Sequence, residues 1–208
     1  ILAAEAADAL LIPKVESKQV VDGIEGRMHM AGAPDNTAIW CMIETPKGVL
    51  RAEEIASASP RLGALVMGTS DLAKDLHCLH TPRREPFMAS LSWCILAARA
   101  NSLAILDGVH LNLADDQGFA ETCRQGREMG FDGKTLIHPK TITAANEAYA
   151  PGTEEVDWSR RVIAVHEEAA REGQGVVLLD GQLIENLHVE EARRVVGLAD
   201  MIAELAGG

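Results

Sequence analysis

A chain of 208 residues that is 47% hydrophobic and 24% charged can bury a sizeable core, and its composition is not that of a disordered protein. Its net charge of -12 repels phosphate backbones, and no basic cluster exceeds Pro82-Arg83-Arg84-Glu85 or Ala192-Arg193-Arg194, so nucleic acid is not expected as a partner. No apolar run reaches the ~18 residues of a membrane span and no charged-then-apolar leader opens the sequence.

In chain order, the first apolar segment is ALLIPKV (residues 9–15), followed by a helix-like stretch over 16–26. AIWCMIE (38–44) precedes a helix over 47–58, and LGALVMG (62–68) precedes helices over 71–76 and 87–101. LAILDGVHL (103–111) leads to a helix over 116–129 closed by Gly130, and KTLIHP (134–139) is the fifth apolar segment. Continuous apolar runs of this length are what strands covered on both faces look like. Their alternation with helices predicts a parallel α/β sheet or barrel. After AYAPG (148–152) the pattern changes to a helix over 157–172, a strand over 175–184 and an amphipathic helix over 189–205. The predicted division is therefore a barrel-type domain over 1–150 and an appended α/β extension over 151–208. The four cysteines (Cys41, Cys78, Cys94, Cys123) form no CxxC pair and lie in apolar or helical settings, which predicts reduced thiols and a cytoplasmic protein.

Polar residues gather where the strands end, the edge at which α/β barrels place their chemistry. Glu44 and Asp71 suit two ligands of one hard cation, since Mg²⁺ takes one or two carboxylates and completes its octahedron with water and substrate oxygens. They also suit a helix cap and a first-turn acid, the more ordinary roles, and the residues alone leave both readings open. The amides of Gly68, Thr69, Ser70 and Asp71 open a helix and can receive a small carboxylate. His77-Cys78-Leu79-His80 lacks the distant second pair of a structural zinc site. GFDGKT (130–135) lacks the first glycine of a P-loop, because Glu128 stands at that position. His138 before Pro139 reads as a strand-end histidine packed under a loop, and Lys14 as a structural or anion-holding residue. Asp180-Gly181 reads as a hairpin turn.

Together, LLIPKVES (10–17), IETPKGVLRAEEIA (43–56), MGTSDLAKDLH (67–77), AARANSLAILDGVHLNLADDQGF (97–119), CRQGREMGFDGKTLIHPKTI (123–142) and VVLLDGQLIENLHVEEARR (176–194) resemble the citrate lyase β-subunit-like branch of the HpcH/HpaI aldolase superfamily, of malyl-CoA lyase and malyl-CoA thioesterase type. The resemblance covers nearly the whole chain. It implies a TIM (β/α)8 barrel of which strands 4–8 are present, with a C-terminal α/β lid. It makes Glu44 and Asp71 ligands of Mg²⁺ (or Mn²⁺), Gly68 to Asp71 the loop that holds the substrate carboxylate, and Asp107, His138 and Pro139 contacts to CoA. Asp180 becomes the catalytic acid or base, carried on a lid that closes over a neighbouring subunit's site in a homo-oligomer, a trimer or hexamer. The family pattern also has three earlier strands, with an arginine on the third, so the chain is expected to be part of a longer protein.

The implied reaction is cleavage of (S)-malyl-CoA, or a related 3-hydroxyacyl-CoA, to glyoxylate and acetyl-CoA or propionyl-CoA. Hydrolysis of malyl-CoA by a thioesterase and a citramalyl-CoA or citryl lyase activity are the alternatives. A catalytically silent, truncated subunit is a further one.

Overall fold

The computed structural model describes residues 7–171, 173 and 175–207. They form two compact units, Ile1–Tyr149 and Ala150–Gly208. The first is built on five parallel strands in sequential order: β1 (Ala9–Ile12), β2 (Ala38–Ile43), β3 (Leu62–Met67), β4 (Ala104–Asp107) and β5 (Gly133–Lys134). Helices fill every crossover: α1 (Lys18–Met30), then α2 (Pro46–Leu50) and α3 (Ala52–Ala56), then α4 (Thr69–Leu76) and α5 (Met88–Ala100), then α6 (Asp116–Met129). Strand, helix and parallel neighbour in sequential order is the repeat of a (β/α) barrel. The α/β class expected from the apolar runs is the one observed.

Alternation along the strands divides the sheet into two faces. Ile39, Cys41 and Ile43 of β2 are fully buried, and the register sets Cys41 beside Leu65 and Ile43 beside Met67. These residues join Ile105, Val21, Ile55, Leu72 and Leu91 in one core, so this face is the one the helices cover. Trp40 and Met42 occupy the other face, and the next residue on that side is Glu44. A register shift after Ile39 leaves Gly63 without a partner and restores pairing at Trp40 and Ala64. Beyond it the register carries Glu44 opposite Gly68.

Several predicted boundaries move for local reasons. The helix expected over 47–58 is two short helices joined at Arg51 (φ -112°, ψ 17°), with Pro46 at the first turn and the Thr45 side chain accepting from Gly48 N at 3.0 Å. The fifth strand is shorter and earlier than the expected 134–139. A 3₁₀ turn over Pro139–Thr141 leads into α7 (Ile142–Tyr149), which packs against α6.

The second unit pairs α8 (Thr153–Arg171) with α9 (Asn186–Gly207) around a hairpin of β6 (Val177–Leu179) and β7 (Gln182–Ile184). The single strand expected over 175–184 is therefore two antiparallel strands. Val162, Ile184, Val189 and Ala192 form its core. On the last helix, expected to be amphipathic, Val195 is buried, whereas Met201, Ile202 and Leu205 are exposed.

Candidate active site

Strand β2 delivers Glu44 to the sheet edge, where it is only 5% exposed. The site is shaped to take it. A Cβ at Gly68 would stand 2.4 Å from Glu44 Cβ and 2.7 Å from Glu44 Oε2, so only glycine leaves room for this side chain. Lys14, just past β1, adopts the left-handed conformation (φ 50°), and its main-chain N–H donates to Glu44 Oε1 at 2.9 Å. The same residue sends its ammonium to within 3.4 Å of Asp71 Oδ1. Burial holds the Glu44 carboxyl above the ordinary carboxylate range; the Lys14 N–H opposes this, and the neighbouring Asp71 carboxylate adds to it.

Asp71 sits in the first turn of α4. Glu44 and Asp71 are therefore brought together, with Lys14 bridging them. The donor set, two interacting carboxylates with one of them desolvated, fits a hard divalent cation that keeps several water or substrate oxygens. It does not fit zinc: among the described residues no group of three or more His, Cys, Asp or Glu is placed to hold a metal. His77 is the left-handed C-cap of α4. Of the four amides expected to receive a carboxylate, that of Gly68 already donates to Ile43 O at 3.0 Å. Thr69, Ser70 and Asp71 begin the helix itself.

The structure places Asp107 differently from the expected CoA contact. It lies on the helix-covered face, 0% exposed, and its carboxylate is enclosed by other side chains. Arg84 Nη1 donates to both Oδ1 and Oδ2 at 2.7 Å, Lys134 Nζ donates to Oδ2 at 2.7 Å, and Gly108 N donates to Oδ1 at 2.8 Å. Lys134 has a fully buried side chain, and that burial pulls its ammonium below the ordinary lysine range, against the attraction of Asp107. Sequence reasoning noticed Arg84 only within a basic cluster and Lys134 only within a failed P-loop. Alternation from buried Ile105 to Asp107 was the available signal that this acid faces the helices.

His138 is exposed, not packed under a loop; its Nδ1 accepts from Lys140 N at 3.1 Å and caps the turn begun by Pro139. Both residues therefore present themselves to solvent. Asp180 (φ 49°) and Gly181 (φ 81°) form the tip of the β6–β7 hairpin, where Arg161 Nη2 donates to Asp180 Oδ2 at 2.7 Å. The side chain is 59% exposed. Burial pushes the thiols of Cys41 and Cys94 up to about 12, which leaves them protonated and poor nucleophiles at neutral pH.

Comparison with family profiles matches residues 2–139 to the HpcH/HpaI aldolase/citrate lyase family. The chain belongs to this family. Among its relatives, the (3S)-malyl-CoA thioesterase of Cereibacter sphaeroides strain ATCC 17023 is 47% identical over 197 residues, covering 95% of this chain and 67% of the relative. The citrate lyase subunit beta of Escherichia coli K12 is 34% identical over 200 residues, covering 94% and 66%. The chain thus spans about two thirds of the length of these curated relatives. The crystal structure of CitE from Mycobacterium tuberculosis in complex with magnesium, acetoacetate and coenzyme A is 28% identical, with a TM-score of 0.75 over 96% of this chain and 71% of that one. A citrate lyase from Burkholderia xenovorans LB400 matches in fold, with a TM-score of 0.79 at 22% identity over 96% and 65%. No helix among the described residues is long and apolar enough to cross a membrane.

Proposed function

We propose that the protein is a Mg²⁺-dependent carbon–carbon lyase that cleaves (S)-malyl-CoA, or a related 3-hydroxyacyl-CoA, to glyoxylate and acetyl-CoA or propionyl-CoA. The observation that carries this reading is the desolvated Glu44 carboxylate beside Asp71 at the strand ends. The magnesium, oxo-acid and CoA held by the mycobacterial relative support it.

Cleavage starts from a negative charge on the alkoxide oxygen and, as that oxygen becomes the new carbonyl, ends with the charge on the thioester enolate oxygen. Mg²⁺ at Glu44 and Asp71 would supply Lewis-acid stabilisation at the first of these oxygens. The chain's own residues prepare that position in advance. Lys14 N–H and the missing Cβ of Gly68 fix the direction of Glu44, and fixed groups need no reorganisation as charge develops. The Lys14 ammonium offsets the repulsion between the two carboxylates. The first turn of α4, from Thr69 to Asp71, offers its N-terminal amides to the carboxylate of the oxo acid. Asp180 is assigned the proton at the carbon next to the thioester, as a lid residue that acts on the site of another subunit. Its exposed place at a hairpin tip suits a group that must approach a site from outside.

Hydrolysis of the same thioester is the second reading, favoured by the 47% identity with a relative named (3S)-malyl-CoA thioesterase. Product analysis on (S)-malyl-CoA decides between them. Trapped glyoxylate with acetyl-CoA supports the lyase; malate with free CoA and no glyoxylate replaces it with the hydrolase. Full activity after thorough chelation would remove the metal from either reading.

A further inference from the structure

A cleft of about 270 Å³ opens in the first unit between residues 80–84, the loop after β4 and the first turns of α6. Two polar groups on its wall lack partners. Arg84 is only 8% exposed; its Nε donates to Gln125 and its Nη1 to Asp107, but its buried Nη2 has no hydrogen-bond partner among the described residues. His110 Nε2 is likewise buried and unpartnered, with the ring set edge-on to Phe119 at 5.9 Å. An unsatisfied buried polar group is costly, and native structures keep few of them. Two at one cleft point to a partner that comes from outside the chain.

The charges define that partner. Arg84 and Lys134 share the single carboxylate of Asp107, which leaves one positive charge in excess beneath the cleft. The acids at the cleft are exposed and already engaged, Asp115 by Gly118 N and Glu121 by the side-chain amide of Gln117. No buried acid restores the balance among the described residues. Phe87 and Val109 supply apolar wall, which suits an acid with a carbon body better than a bare inorganic anion. The volume lies below the roughly 300–1,000 Å³ of sites for drug-sized ligands.

We infer that this cleft binds a small organic carboxylate, received by Arg84 Nη2 and His110 Nε2. Neither Glu44 nor Asp71 lines the cleft, and Glu44 extends the opposite face of the sheet from Asp107; of the first turn of α4 only Thr69 reaches its wall. The site requires neither the metal nor the CoA reading.

Malonate is the probe, titrated into Glu44→Gln protein in chelated buffer at constant ionic strength, so that carboxylate binding at a metal is absent. Calorimetry is expected to show saturable binding, and thermal melting a saturable rise beyond that given by chloride. His110→Ala and Arg84→Lys, each added to that background, are expected to weaken binding about tenfold or more. Should Arg84→Lys fail to fold, His110→Ala decides, since it leaves the Arg84–Asp107–Lys134 contacts in place. Malonate that acts no differently from chloride, or that binds equally well to the His110→Ala protein, overturns the inference. Saturable binding of inorganic phosphate without any of malonate overturns the assignment to organic carboxylates.

Discussion

Gly68 and Glu44 face each other across two parallel strands so closely that a Cβ on the glycine would stand 2.4 Å from the glutamate's own. The φ of Gly68 is -103°, a value open to any L residue, so alanine there strains the contacts of its Cβ with Glu44 and, at 3.2 Å, with Met42 Cγ, and not the backbone. Gly68→Ala is expected to displace the Glu44 carboxylate and weaken Mg²⁺ binding about tenfold or more, the scale seen when a metal ligand loses its orientation. Calorimetric titration with Mg²⁺ measures it, with far-UV circular dichroism as the check on folding. Unchanged affinity would detach Glu44 from cation binding.

The raised proton affinity of Glu44 gives a stability prediction with a definite sign. Its folded pKa lies above the unfolded value of ~4.3, so the native state holds the proton more tightly and loses stability as pH rises through that window. At neutral pH the ionised, buried side chain is a liability without a cation. Glu44→Gln removes the charge and keeps an oxygen for the Lys14 N–H. It is expected to melt about 2–4 °C higher than the parent in chelated buffer, the shift that ~1 kcal/mol produces in a chain of this size. The gap should close below pH ~4, where both states are protonated, and added Mg²⁺ should stabilise the parent alone. A variant less stable than the parent at neutral pH would mean that Glu44 is not a desolvated charge.

Strand order and the sheet edge that carries the chemistry were legible because continuous apolar runs ending on Glu44 and Gly68 leave few other arrangements. The face of each strand residue was harder. Glu44 and Asp107 both end apolar runs, yet one extends the open face and the other lies under the helices, a difference of parity that becomes plain only when Ile43 and Ile105 are seen buried. Lys134 carried no warning at all, since a lysine beside glycine reads as surface until its partner Asp107 is located. The helix Ile142–Tyr149 was hidden by the strand expected to run to Pro139, although His138 and Pro139 together form a helix-start signal.

The Arg84–Asp107–Lys134 cluster predicts an asymmetry. Asp107→Asn leaves two buried cations without a counter-charge, and breaking a buried ion pair in this way costs about 3–5 kcal/mol. Lys134→Met leaves one Arg84–Asp107 pair in balance and should be neutral or stabilising. Because burial lowers the Lys134 pKa, the unfolded chain binds the extra proton between that lowered value and ~10.4, and parent stability should rise with pH across the window. The rise attributable to this residue disappears in Lys134→Met. Urea midpoints for both proteins over an alkaline series measure the difference, and equal losses in the two variants would show that the excess charge is neutralised by some other group.

Asp180 permits a clean separation of chemistry from folding. Positive φ at both Asp180 and Gly181 is the two-residue turn that favours Asn-Gly as well as Asp-Gly, so Asp180→Asn should preserve the hairpin. The ion pair it gives up with Arg161 is exposed on both sides and contributes little. The melting temperature should therefore hold while turnover of (S)-malyl-CoA falls about 10²–10⁴-fold, the contribution of a general acid or base. If the lid serves another subunit, mixing this variant with inactive Glu44→Gln protein under conditions that exchange subunits should restore activity, because some sites then join an intact carboxylate pair to an intact lid. Exposed Met201, Ile202 and Leu205 on α9 suit an extension that meets a second copy. Exchange shown by mass spectrometry without recovered activity would place Asp180 at its own chain's site, and an Asp180→Asn protein with full turnover would remove it from catalysis.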